Sequence, residues 1–257
     1  MIEISGLQKI FSGTKDRPPT VALTDISFSV AQGEICCLLG PSGCGKSTIL
    51  NILAGFEAAS AGAARVAGKS VDKPHPSRAL VFQQPQLFPW LDVWENVLFG
   101  PRMMGVERSK AAARAEGLLK AVGLEHFRRH RVYELSGGMR QRVAIARALI
   151  NEPEVLLMDE PFGALDSQTR ATMQQLLLSI WENLRPTILF VTHDVDEALF
   201  LGNQVFVMTA RPGRIKERLR VEIGRPRSLD VTTSDAFVSL KRSILGAIRE
   251  EVEAAAD

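Results

Sequence analysis

The sequence has few cysteines and almost no net charge. Its three cysteines, Cys36, Cys37 and Cys44, form no Cys-x-x-Cys pair and no Cys/His cluster, so they indicate reduced thiols rather than disulfides or a zinc site. The 31 basic and 29 acidic residues leave a formal net charge of +2. This balance gives no overall field that would attract nucleic acid, although it leaves a local basic patch open.

Long apolar runs are also missing. No stretch approaches the roughly 18 apolar residues that a membrane-spanning helix requires. The segment Met1–Ile4 begins an amphipathic strand and lacks the basic and apolar regions of a signal peptide. We therefore expect any work at a membrane to proceed through a partner.

Short apolar runs are present, and they are typical of buried strands in a mainly parallel sheet. They are Glu34–Leu39, Ala79–Phe82, Val155–Met158, Thr187–Val191 and Val205–Met208. The first four lead directly into polar or glycine-rich segments, so chemistry is expected at the carboxyl ends of these strands. Two N-terminal segments, Ile2–Phe11 and Val21–Val30, alternate apolar and polar residues around the loop Ser12–Thr20 and predict an antiparallel layer.

The remaining elements are predicted to be helical. Few strand signals occur between 85 and about 135, and Ser109–Val122 predicts a helix within a helical insert. Gln168–Leu184 predicts another helix, whose apolar face consists of Met173, Leu176, Leu177, Ile180 and Leu184. Near the C-terminus a helix is predicted from the spacing of Phe237, Leu240, Ile244, Ile248 and Val252. We expect it to pack on its own domain, with a partner-binding helix as the alternative.

A phosphate loop is predicted after the first buried strand. The pattern G-x-x-x-x-G-K-[ST] is matched by Gly40, Pro41, Ser42, Gly43, Cys44, Gly45, Lys46, Ser47 and Thr48. The glycines let backbone N–H groups turn onto phosphate oxygens, Lys46 adds a charge at the β- and γ-phosphates, and Ser47 supplies a hydroxyl to magnesium. A helix follows, with Gly55 as its predicted C-cap. The motif indicates a nucleotide without distinguishing kinase, GTPase and ATPase.

Two acids follow the buried strand that is predicted at Val155–Met158. Because an isolated buried charge is very costly, Asp159 and Glu160 should meet a cation or water at the strand tip. We assign Asp159 to magnesium, through water, and Glu160 to the general base that polarises the attacking water. The alternative is a pair of solvated acids at a strand end.

The segment Leu135–Gln141, LSGGMRQ, opens a helix for which Ser136 is a good N-cap. Its glycines, Gly137 and Gly138, let a ligand approach the bare backbone, although an ordinary capped helix would read the same way. This segment matches the signature motif of ABC transporter ATPase subunits, and the resemblance covers nearly the whole chain. It implies that Ser136 and Gly138 contact the γ-phosphate of an ATP bound to the other protomer of a head-to-tail dimer.

The resemblance also implies roles for single residues. Gln83 resembles the glutamine that senses magnesium and the attacking water, with Gln84 as a neighbouring ambiguity. His193 resembles the switch histidine near the γ-phosphate, and Asp166 resembles an acid that communicates across the dimer. Phe11 resembles the aromatic residue that stacks on adenine, and the competing interpretation is a buried strand phenylalanine.

Two further segments, Phe82–Leu91 and Met208–Ile215, are similar to the importers of nitrate, aliphatic sulfonates and taurine. Importers of pyrimidine-like vitamin precursors share much of this pattern. One departure is Val132–Tyr133, where many members have Pro-His. The solute itself cannot be read here, because the family places its substrate pocket in other subunits.

We therefore predict an α/β fold: a P-loop NTPase core with a mainly parallel sheet, an antiparallel β subdomain and a helical insert. The ATPase domain is expected at 1–230, with the insert at about 85–150, and a C-terminal helical extension at 231–257. The ligands are ATP and Mg²⁺. The alternative functions are a soluble ABC ATPase outside transport and a small-molecule kinase.

The resemblance implies partners and a location. They are a second ATPase subunit, two integral-membrane permease subunits and an extracytoplasmic solute-binding protein, with no nucleic acid. The chain would be peripheral, on the cytoplasmic face of the bacterial inner membrane. We place the permease contact at Pro85–Asn96, which carries Leu87, Phe88, Trp90, Leu91 and Trp94. The alternative is that these side chains are core.

Overall fold

A computed structural model describes residues 1–13 and 18–254. In chain order the strands are β1 Ile2–Phe11, β2 Thr20–Val30, β3 Ile35–Leu39, β4 Ala61–Val66, β5 Lys69–Ser70, β6 Arg78–Val81, β7 Val155–Asp159, β8 Thr187–Thr192, β9 Gln204–Met208 and β10 Ile215–Arg220. The helices are α1 Lys46–Ala54, α2 Val93–Met103, α3 Arg108–Ala121, α4 Gly137–Leu149, α5 Ser167–Leu184, α6 Val195–Leu201 and α7 Asp235–Ala254. Residues 14–17 of the loop predicted at Ser12–Thr20 lie outside the described residues.

One compact unit is formed by Met1–His75 and Thr187–Asp257. It contains an antiparallel sheet of order β2-β1-β4-β5, in which Ile4 lies opposite Phe28. Burial alternates along β1, which is why one face of this sheet can pack while the other meets water. The same unit holds β3 between the parallel strands β8 and β9, with β10 antiparallel to β9. Every residue of β3 is buried, as expected for a strand covered on both faces.

The other compact unit, Pro76–Pro186, combines the parallel pair β6 and β7 with α2 to α5. It contains the predicted helical insert. Helix α2 begins at a capping box in which Asp92 accepts the Glu95 N–H and Glu95 accepts the Asp92 N–H, and it packs against α4. The sequence analysis predicts only Ser109–Val122 as a helix in this insert, so α2 is a helix that it missed.

The predicted fold class is confirmed, and the strand boundaries agree to within about two residues. The predicted apolar face of α5 differs from the buried face at two positions, Leu176 and Leu184. Leu184 is 56% exposed and Leu176 is half-buried, whereas Leu178 and Trp181 are buried. The buried stripe therefore leaves the predicted face at the last turn, where Arg185 ends the helix in a left-handed conformation.

The C-terminal helix α7 packs on its own unit, against α6 and β9. Phe237 and Ile244 are fully buried, and the Lys241 ammonium lies 2.7 Å from the Asp196 carboxylate of α6. The prediction of self-packing is confirmed. Val252, assigned to the same face, lies among the residues whose side chains are not described.

Candidate active site

The phosphate loop joins β3 to α1, and its shape depends on glycine at two positions. Gly43 and Gly45 have φ values of 79° and 97°, in the left-handed region that other residues avoid. A Cβ atom on Gly45 would also lie 2.5 Å from Cδ2 of Leu23. Both glycines are therefore required for the loop to turn its backbone inward.

Lys46 is already folded into the loop. Its side chain is buried, and Nζ donates to the carbonyl oxygens of Gly40 at 2.8 Å and Pro41 at 2.9 Å, with Sγ of Cys44 at 3.7 Å. An ammonium has three donors, and a thiol sulfur is the weakest of these acceptors. A phosphate oxygen would replace the thiol sulfur as a charged and much stronger acceptor.

The start of α1 offers an anion its backbone N–H groups. Ser47 is exposed and Thr48 is half-buried in the first turn, which contains no acidic side chain. The positive end of the helix dipole is therefore not neutralised by its own residues. At the other end Gly55 caps the helix as predicted, and its N–H points to the carbonyls of Asn51 and Ile52.

Phe11 lies at the end of β1 with 39% of its surface exposed, so the alternative of a buried strand phenylalanine is wrong. The Lys9 ammonium lies 4.9 Å from the ring centroid, a cation–π contact. Lys9 is held there by the Glu57 carboxylate at 2.6 Å and the Ala58 carbonyl at 2.8 Å. Stacking of Phe11 on adenine stays a prediction, and Lys9 is a neighbour that the sequence did not reveal.

His193 is exposed in the short turn between β8 and α6. The turn is fixed on both sides of it. The buried hydroxyl of Thr192 accepts the Asp194 N–H at 3.0 Å, and the Asp194 carboxylate caps α6 by accepting the Glu197 N–H at 3.1 Å. The imidazole is thus presented at the carboxyl end of a buried strand.

In the second unit, Gln83 and Glu160 come together around Gly163. A Cβ atom on Gly163 would lie 3.5 Å from Nε2 of Gln83 and 3.8 Å from Oε2 of Glu160. Glu160 follows Asp159, the last residue of β7, and both are half-buried. An amide and a carboxylate are thus gathered at one strand end, as polarisation of a water molecule requires.

The signature segment is hydrogen-bonded to the backbone next to Gln83. Gln141 is buried in α4 and its Nε2 lies 3.5 Å from the carbonyl oxygen of Phe82, the residue that precedes Gln83. The exposed residues Gln83 and Gln84 therefore follow a residue whose backbone is held in place. Gln141 could not be singled out from the sequence, because a glutamine in a helix is ordinarily solvated.

The starts of α4 and α5 are adjacent. Ser136 caps α4 as predicted, its Oγ accepting the Met139 N–H at 3.2 Å, and Asp166 caps α5 by accepting the Thr169 N–H at 2.9 Å. Gly138 is buried so tightly that a Cβ atom there would lie 2.8 Å from Cγ2 of Thr169. Gly137, by contrast, is exposed. Hydrogen bonds from Thr169, first from its backbone N–H, hold the pKa of Asp166 below its usual value.

The segment predicted to contact a permease is partly core. Leu87 is 9% exposed and Phe88 is half-buried, with its ring centroid 4.4 Å from that of Phe99. Of the five apolar side chains predicted at this contact, only Trp90 is well exposed, at 69%. The segment is organised by buried Asn96, whose amide accepts the Phe88 N–H at 2.9 Å and donates to nearby carbonyls.

Comparison with known proteins gives the chain a family. Residues 23–163 match the family described as ABC transporter. The taurine import ATP-binding protein TauB of Escherichia coli is 40% identical over 259 residues, which cover 99% of each protein. TauB of Jannaschia sp. is 48% identical over 231 residues, covering 88% of this chain and 86% of the relative. A solved dimeric ATP-binding cassette, in a post-hydrolysis state bound to ADP and Pi, is 30% identical with a TM-score of 0.75, covering 87% of this chain and all of that one.

These matches confirm the family resemblance that LSGGMRQ and the phosphate loop predict, and they agree with the observed order of strands and helices. The chain therefore belongs to the ABC transporter family and is an ATP-hydrolysing subunit.

Proposed function

We propose that this chain powers an importer for taurine or a chemically related solute, such as an aliphatic sulfonate or nitrate. The observation that carries this proposal is the relative named as a taurine import protein, which is 40% identical across 99% of both chains. The compared range covers nearly the whole chain and therefore includes the segments Phe82–Leu91 and Met208–Ile215, which lie outside the phosphate-binding motifs. ATP hydrolysis would follow the same chemistry in all such importers. The identity of the solute is therefore the more specific part of the proposal.

The proposed reaction is attack of water on the γ-phosphorus of ATP. Glu160 accepts the proton from the water, the bond from the γ-phosphorus to the bridging oxygen breaks, and ADP and phosphate leave. Gln83 and His193 orient the water and the γ-phosphate. Phe11 stacks on adenine, and the phosphate loop, 40–48, holds the phosphates.

Magnesium is the metal that the proposed donors fit. The Ser47 hydroxyl, the Gln83 amide oxygen and the Asp159 carboxylate are hard oxygen ligands, and Mg²⁺ takes few protein ligands besides phosphate and water. When bound, the ion neutralises negative charge on the phosphate oxygens. Asp159 would act through water.

The proposed assembly is a head-to-tail pair of this chain with two permease subunits and an extracytoplasmic solute-binding protein. Ser136, Gly137 and Gly138 would meet the γ-phosphate bound by the other protomer, and Asp166 would communicate between protomers. None of the helices within 1–13 and 18–254 is long and apolar enough to cross a membrane. We place the chain at the cytoplasmic face of the bacterial inner membrane, held there by the permease. The division into 1–230 and a 231–257 extension is also part of this proposal.

The test is ATPase stimulation in the reconstituted transporter with its binding protein. Taurine, an aliphatic sulfonate, nitrate and a pyrimidine vitamin precursor are added separately. We expect stimulation by taurine, the aliphatic sulfonate or nitrate, with none in a transporter that carries Glu160→Gln. Stimulation by the pyrimidine alone would overturn the solute class while leaving the ATPase assignment intact.

A further inference from the structure

The turn between β9 and β10, residues 209–214, lies directly against the phosphate loop. Gly213 is so close that a Cβ atom there would lie 2.0 Å from the carbonyl oxygen of Cys44. The Gly213 N–H donates to the Ala22 carbonyl at 2.9 Å, and its carbonyl accepts the Thr24 N–H at 3.0 Å. The turn is therefore fixed between the phosphate loop and β2, and only glycine fits at the contact.

Arg211 extends from this turn to the outer rim of the loop. Its Nε and Nη2 both donate to the carbonyl oxygen of Gly43, each at 3.4 Å. The two residues are exposed and separated by 168 positions in the sequence. Two of the five guanidinium donors thus converge on one backbone oxygen of the predicted phosphate-binding loop.

The orientation of the Gly43 carbonyl determines where the Cys44 N–H of the predicted phosphate-binding loop points. The Gly43 carbonyl and the Cys44 N–H belong to one planar trans peptide, so they point in opposite directions. With the carbonyl held outward by Arg211, the Cys44 N–H points into the loop, where it lies 3.4 Å from the Pro41 carbonyl oxygen. Gly43 has a φ of 79° and offers little resistance of its own to rotation of this peptide.

The C-terminal helix holds the other side of the turn. The Glu251 carboxylate of α7 accepts the Ala210 N–H at 3.3 Å and lies 2.9 Å from Nζ of Lys216. Glu250 also pairs with Lys216, at 3.0 Å, but within residues 1–13 and 18–254 it makes no hydrogen bond to the turn. These bonds raise the pKa of Lys216, first through Glu251, so the lysine stays charged. A continuous set of contacts therefore runs from α7 through Ala210 and Arg211 to Gly43.

We propose that Arg211 is a positioning residue for nucleotide binding. It orients the Gly43–Cys44 peptide so that the Cys44 N–H faces the phosphates, and α7 keeps Arg211 in place through Glu251. The ligand is a nucleoside di- or triphosphate, since the backbone of a phosphate loop serves the inner phosphates as well as the γ-phosphate. This inference rests on the proposed ATP-binding role of the loop.

The test is calorimetric titration of the full chain with ADP and with ATP. Arg211→Ala should weaken both affinities by about fivefold or more, as expected for loss of a charged hydrogen bond. Arg211→Lys should weaken them nearly as much, because lysine keeps the charge and lacks the planar fork. Arg214→Ala is the matched control, since it removes the same charge from an exposed position in the same turn, and it should stay within about twofold.

Three results would overturn the positioning role. The first is an Arg211→Ala protein that binds as well as the wild type. The second is equal weakening by Arg214→Ala, and the third is full affinity in Arg211→Lys; either of these assigns the effect to charge alone. Failure of the wild-type chain to bind either nucleotide would instead defeat the proposed ATPase site itself. Melting temperatures without nucleotide should be unchanged, because Arg211 is exposed.

The role of α7 is tested by a second pair of variants. Glu251→Ala and Glu250→Ala each remove one carboxylate from Lys216, but only the first removes the acceptor of the Ala210 N–H. We expect Glu251→Ala to weaken ADP binding by about two- to threefold and Glu250→Ala to leave it unchanged. Equal affinities in the two variants would remove α7 from the proposal.

Discussion

The backbone at Glu160 adopts a conformation that side-chain-bearing residues rarely hold. Its φ is 43°, directly after the last residue of β7. Such conformations cost of the order of 1–3 kcal/mol and persist where the surrounding structure imposes them, often at functional sites. Here the strained position delivers a carboxylate to the region that Gln83 also reaches, which supports its assignment as the base.

Glu160→Gln tests that assignment. It preserves the shape of the side chain and the backbone, so ATP binding should be unchanged. Loss of the base should slow hydrolysis by about 10²–10⁴-fold, measured as phosphate release. With hydrolysis blocked, ATP should also hold two copies together in gel filtration.

Glu154→Gln is the control, because Glu154 is an exposed carboxylate just before the same strand. This variant should behave as wild type. Turnover at the wild-type rate in Glu160→Gln would remove Glu160 from its role.

At single residues, the sequence predicts what depends on neighbours in the chain. Ser136 and Gly55 were recognisable as caps because capping joins positions within one turn. Lys9 and Arg211 were not recognisable, because their partners are distant. Lys9 bonds Glu57, 48 positions away, and Arg211 bonds Gly43, 168 positions away. Nothing local distinguishes such a residue from a solvated surface charge.

At the scale of elements, strands covered on both faces are the best predicted. All of β3 and β8 is buried, so each reads as an unbroken apolar run. Strands β4 and β10 were missed because most of their residues are exposed or half-exposed and are small or charged. Antiparallel pairing to a neighbour, rather than their own composition, holds them in the sheet.

The segment before α2 contains both a buried side chain, Leu87, and an exposed one, Trp90. This difference refines the predicted contact of the segment with a permease. Trp90→Glu replaces an exposed side chain, so it should leave thermal stability and ATP binding unchanged and release the subunit from its permease in a pull-down. Leu87→Glu buries a charge and should lower the free energy of unfolding by several kcal/mol. Leu87 is 9% exposed, whereas Trp90 is 69% exposed.

The contrast between the two variants decides the assignment. Retention of the permease at normal strength by folded Trp90→Glu protein would place the contact elsewhere. Unfolding of that variant would instead show that Trp90 is structural. Met103→Glu serves as a surface control, because Met103 is 64% exposed at the far end of α2. It should keep both the fold and the permease.

At the scale of the whole molecule, the proposed dimer makes each ATP site a composite of two chains. Lys46 would serve the ATP bound by its own protomer, whereas Ser136 would serve the ATP bound by the other. In the single chain the Ser136 hydroxyl is exposed and caps α4. The head-to-tail contact would bring this helix start to the γ-phosphate bound by the other protomer.

Mixing two inactive variants provides that test. Lys46→Ala should lose nucleotide affinity, because the charge on the β- and γ-phosphates disappears. Ser136→Arg should keep its own ATP contacts and block closure of the pair. In a mixed dimer, the intact Lys46 of one chain meets the intact Ser136 of the other, so one site of two is complete. If the sites act independently, an equal mixture should recover about a quarter of the wild-type turnover, since half of the dimers are mixed and each mixed dimer has one complete site.

Ser136→Ala controls for loss of the cap, which costs about 1 kcal/mol, and should retain more activity than Ser136→Arg. Robust hydrolysis by Ser136→Arg protein that stays monomeric in ATP would contradict the composite site.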